Sequence, residues 1–126
     1  MNRDNIIKMF KDEFVDISDK FKIFDLTAEE ARHCKDDCVW HPGVYVWVHD
    51  KDGVLRIGRH LDNSRKRALE HIVQNTGEKM RAYGADNGTR VYLFNVINNN
   101  DKHWVAALEI YFELRLNPLL KAGRLG

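Results

Sequence analysis

Cysteine is scarce in this chain: Cys34 and Cys38 are the only two in 126 residues. That excludes a fold held together by a disulfide framework, and a reducing compartment would keep both as thiols. With His33 and His41 they place four zinc-type ligands close together. The spacing matches no common zinc module, so the cysteines are read as small, half-buried residues. Long apolar runs are also missing. None approaches the roughly 18 residues of a membrane span, and Met1-Asn2-Arg3-Asp4 does not begin a secretory signal, so the expectation is a cytoplasmic protein without membrane contact. Internal repeats, low-complexity tracts and linkers are lacking too. What is present, 44% hydrophobic and 31% charged residues, suits one ordinary globular domain with a packed core.

The net charge of +1 hides an uneven distribution. Residues 1–40 hold 7 Lys/Arg against 10 Asp/Glu, whereas residues 41–126 hold 13 against 9. Between Arg56 and Arg81 there are seven Lys/Arg and three Asp/Glu. Such an excess attracts phosphate backbones, although a solvated helix face has the same composition.

The apolar spacing of Ile6, Ile7, Phe10, Phe14 and Ile17 predicts an amphipathic helix over residues 4–17. Thr27-Ala-Glu-Glu30 reads as a capping box opening a second, short helix. Residues 34–42 read as a loop. Gly43–Val48 and Val54–Gly58, separated by Asp50-Lys-Asp-Gly53, form a hairpin pattern. A two- or four-residue loop would put Tyr45, Arg56 and Gly58 on one face, and a three-residue loop would separate them.

Asn63 or Ser64 caps a helix expected to reach about Thr76, with Ala68, Leu69, Ile72 and Val73 inward and Ser64, Arg67, His71 and Gln74 opposite. Residues 83–88 have loop composition, and Arg90–Ile97 alternates as a third strand. Asp101 is expected to cap the last helix, which ends before Asn117-Pro118. Apolar residues surround nearly all of that helix, so it is expected to be largely buried, with a cation accompanying Glu109 in its midst. The fold class is α+β: a small, mainly antiparallel three-stranded sheet flanked by helices in residues 41–126, with residues 1–40 as a helical extension packed on it.

At Pro42-Gly43-Val44-Tyr45, Arg56-Ile57-Gly58-Arg59, Arg67 with His71, Glu109 and Pro118 the sequence resembles the GIY-YIG nuclease superfamily. The resemblance covers residues 42–118, with ten residues between Tyr45 and Arg56. Two positions depart from the family pattern. Arg56 stands where the second tyrosine is usual, and Arg67 lies nine residues after Gly58 rather than eight, so Lys66 holds the nominal position. Arg67 is preferred because it alone sits one turn before His71 on the same face.

The resemblance implies a metal-dependent endonuclease acting on DNA, with RNA as the alternative substrate and a homodimer as one way to cut both strands. Another reading is a nucleic-acid-binding module of the same fold with impaired catalysis. Glu109 would hold one Mg²⁺ or Mn²⁺, and Glu113 reads as a salt-bridge partner rather than a second ligand. Tyr45 would be the general base, helped toward phenolate by Arg56. Arg67 would grip phosphoryl oxygens, with His71 contacting phosphate or sharing the proton transfer. Arg59, Arg65 and Lys66 would contact the nucleic-acid backbone. His60, His103 and Trp104 are read as structural or surface residues.

Overall fold

A computed structural model describes residues 3–70, 72 and 77–120. Four strands, β1 (Phe21–Thr27), β2 (Gly43–His49), β3 (Gly53–His60) and β4 (Thr89–Val96), pair antiparallel in the order β1-β4-β2-β3. The helices are α1 (Arg3–Glu13), α2 (Ala28–His33), α3 (Ser64–Glu70), α4 (Gly77–Gly84) and α5 (His103–Leu116). The described residues are therefore α+β, as expected, but with four strands instead of three.

The additional strand, β1, lies inside the segment expected to be a helical extension. Phe21 and Ile23 pack on one face of the sheet, and Phe24 and Leu26 on the other. With apolar residues on both faces and Lys22 and Asp25 breaking the run, neither an alternating nor a continuous apolar pattern marks the strand.

On one face α1 and α5 cover the sheet, with Phe10, Phe94 and Phe112 at the centre of a core that also takes in Val44, Val46 and Leu108. On the other, α2, α3 and the 3-10 turn Asp37–Trp40 pack through Ala31, Ala68 and Val39 against Tyr45, Trp47 and Leu93. The Thr27–Glu30 capping box forms: Glu30 N–H donates to the Thr27 hydroxyl (3.1 Å) and Thr27 N–H to the Glu30 carboxylate (2.9 Å). Those backbone contacts lower the Glu30 carboxyl below its usual range. No helix among the described residues is long and apolar enough to cross a membrane.

Three other expectations change. A separate helix, α4, occupies Gly77–Gly84, where the sequence pattern assigns no element up to residue 82 and a loop from residue 83. Asp101 does not cap α5; it lies in a short 3-10 turn and pairs with Lys20 at 3.7 Å. Nor is α5 buried all round: Val105, Leu108, Glu109 and Phe112 face inward at helical spacing, while Leu114 is 66% exposed. Apolar composition overstated the width of the buried stripe because one sheet face can cover only one side of a helix.

Candidate functional site

The β2–β3 hairpin has a three-residue loop, since His49 pairs with Gly53. Gly53 turns the chain with φ 79°, a backbone conformation glycine adopts without a Cβ penalty. Such a loop alone would set Tyr45 and Arg56 on opposite faces. A β-bulge prevents this: Val48 pairs with Val54 but Trp47 with Arg56, so Leu55 is the extra residue and Tyr45 is opposite Gly58. Tyr45, Arg56 and Gly58 therefore share a face. A Cβ on Gly58 would lie 2.1 Å from the Tyr45 phenol oxygen and 2.3 Å from Cζ. Glycine is required there because the phenol crosses its α-carbon.

Helix α3 is fastened over this face at two points. Ser64, fully buried, donates its hydroxyl to Asn95 on β4; the Asn95 amide in turn donates to the Cys38 carbonyl at 2.9 Å. One turn later, Trp47 Nε1–H donates to the Ala68 carbonyl at 3.2 Å. Ser64 thus points inward, contrary to its expected place on the outer face, because Asn95 offers a buried partner.

With Ser64 and Ala68 inward, Lys66 points to solvent and Arg65 and Arg67 leave on opposite flanks. Arg65 stacks on Trp40, 5.4 Å from the ring centroid. Arg67 hydrogen-bonds the Tyr45 phenol and pairs with Glu70 at 3.3 Å.

Glu109 approaches from α5. Its side chain is 7% exposed and pairs with Arg59 of β3, itself 18% exposed. The cation expected beside the buried carboxylate is therefore Arg59, a residue expected to reach the nucleic-acid backbone. Glu109 is close enough to Tyr45 to act on its ionisation, as are Arg67 and Arg56.

Burial pushes the Tyr45 phenol up to about 12; Arg67 and Arg56 favour phenolate and Glu109 opposes it. The desolvation cost exceeds the help from both arginines. Arg56 Nε is buried with no hydrogen-bond partner among the described residues.

The described residues thus bring Tyr45, Arg56, Gly58, Arg59, Arg67 and Glu109 to one place at edge strand β3. Arg65 and Lys66 lie alongside on α3, and His71 falls outside the described residues. Sequence reasoning missed Ser64, Trp47 and Asn95, which position α3. Polar or aromatic residues in core-facing strands were the available signal.

A Mg²⁺ or Mn²⁺ site can be tested against the donor set. Among the described residues, no three or more His, Cys, Asp or Glu side chains gather as a metal cage. The carboxylate of Glu109 is a hard oxygen donor within electrostatic reach of the phenol, and one such donor fits an ion completed by water and phosphate. His33 pairs with Glu29 at 2.9 Å, and His41 Nδ1 meets the Val96 carbonyl at 2.8 Å. A groove of about 510 Å³ lies at the other end of the sheet between Arg3, His49 and Arg90. No family profile, curated protein or solved structure matches this chain.

Proposed function

We propose that the chain is a GIY-YIG-type, metal-dependent endonuclease hydrolysing DNA phosphodiester bonds at the β3 edge. One observation carries the reading: Tyr45, Arg67 and Glu109, far apart in sequence, interact directly or electrostatically around Gly58. A buried phenol hydrogen-bonded to an arginine, with a buried carboxylate nearby, is an uncommon core arrangement but a serviceable one for phosphoryl transfer.

Glu109 would hold one Mg²⁺ or Mn²⁺, which when bound polarises the phosphate and stabilises the departing oxyanion. Arg67 offers forked donors to the non-bridging oxygens, and lysine cannot reproduce that geometry. Tyr45 accepts the proton of the attacking water at its phenol oxygen. At neutral pH only about one phenol in a hundred thousand is ionised when its pKa is near 12. That value already includes the help of Arg67 and Arg56, and neutralising the Glu109 charge would lower it further. Lys66 and Arg65 supply sequence-independent attraction to the backbone.

The high phenol pKa and the occupied carboxylate favour a second reading, a nucleic-acid-binding module with impaired catalysis. Supercoiled plasmid incubated with the protein and Mg²⁺ or Mn²⁺, beside Glu109→Ala, separates the two. Nicking lost in Glu109→Ala is expected; salt-sensitive binding without cleavage under either ion selects the second reading. Substituting a single-stranded RNA substrate tests the RNA-directed alternative.

A further inference from the structure

The Arg59–Glu109 pair joins two residues to which the proposed function gives different partners, phosphate for one and a metal ion for the other. We propose that Arg59 is an exchangeable counterion that opposes metal binding at Glu109 until a phosphodiester draws the guanidinium away, so that metal and nucleic acid bind cooperatively. This rests on the nuclease reading and adds regulation to the same site.

A carboxylate with a side chain 7% exposed needs a cation, and Arg59 supplies it in the free protein. Arg59 is also able to leave. Its side chain is 18% exposed and it stands on β3, whose outer edge pairs with no strand, so the guanidinium can swing outward without moving the sheet. A divalent ion and a guanidinium at one carboxylate repel each other in a site that screens poorly. Phosphate gives the guanidinium a second acceptor of matching fork geometry. Whatever removes Arg59 from Glu109 therefore tightens metal binding, and the coupling is reciprocal.

The test is calorimetric titration of the whole chain with Mn²⁺, first without nucleic acid. Arg59→Met is expected to bind Mn²⁺ on the order of ten- to a hundredfold more tightly than the parent, and Arg59→Lys by a smaller factor. Glu109→Gln abolishes the binding. A short DNA duplex then tightens Mn²⁺ binding by the parent by a larger factor than binding by Arg59→Met.

Equal or weaker Mn²⁺ binding by a folded Arg59→Met overturns the proposal. If that variant does not fold, the same comparison on Arg59→Lys decides. Plasmid nicking that depends on Glu109, combined with Mn²⁺ affinity unaffected by Arg59, overturns this inference alone. Absence of Mn²⁺ binding in every variant, with no nicking, overturns the nuclease reading with it.

Discussion

Tyr45 is the residue on which burial and charge disagree most. Its phenol rises from the ordinary value of 10.0 to about 12 because desolvation outweighs Arg67 and Arg56. The folded state then holds its proton more tightly than the unfolded chain. The resulting stability is complete below pH 10 and lost as pH rises through 12, an amount of about 3 kcal/mol. Urea unfolding across that window should show a decline in the parent that is absent in Tyr45→Phe.

The same shift gives a kinetic expectation for the proposed reaction. Cleavage should rise by about tenfold per pH unit from pH 7 to 9 if phenolate is the base. Arg56→Met should slow cleavage at pH 7 by removing one of the two cations that favour phenolate, and single-turnover rates would show it. Arg67→Lys should cost about a hundredfold or more, since it loses both the phenol contact and the fork.

At the scale of elements, the site depends on how α3 and the hairpin are held. Ser64→Ala leaves the Asn95 carbonyl oxygen without its buried donor and should cost about 1–3 kcal/mol in denaturant unfolding. Gly58→Ala should cost at least about 1–3 kcal/mol, because its methyl group would meet the Tyr45 ring. After α5, Leu119 and Leu120 donate to the Val54 and Leu55 carbonyls at 3.0 and 2.7 Å, tying the chain to β3 beside the bulge. This covers part of an edge that would otherwise be open to pairing with another chain.

Much of this was legible in the sequence. The capping box, the hairpin and the strand at 89–96 follow from local chemistry. The bulge does not: a one-residue insertion leaves no mark on an apolar run, yet it decides whether Tyr45 and Arg56 share a face. Strand β1 was hidden because its apolar residues fall on both faces and Lys22 and Asp25 interrupt them, which leaves no clean period. The partner of Glu109 was legible only as a required cation, since an ion pair between β3 and α5 depends on packing far apart in sequence.

For the whole molecule, one sheet with helices on both faces brings the described candidate residues of β2, β3, α3 and α5 together at its β3 side. Under the proposed function a single such centre would act on one strand per binding event, so nicked circles should accumulate before linear plasmid appears. The ratio of nicked to linear product at rising protein concentration would reveal assembly into a dimer. Helix α1 is integral to this architecture, since Phe10 is fully buried against Phe21 and Phe94. Phe10→Ala should lower stability by about 3–5 kcal/mol and thereby abolish activity at elevated temperature without touching the site.

The most direct test is the initial rate of plasmid nicking by Tyr45→Phe with Mn²⁺ at pH 8, beside the parent and with DNA binding measured in parallel. A loss of about a hundredfold or more, with binding retained, is predicted. A Tyr45→Phe protein that nicks at the parental rate would contradict the account.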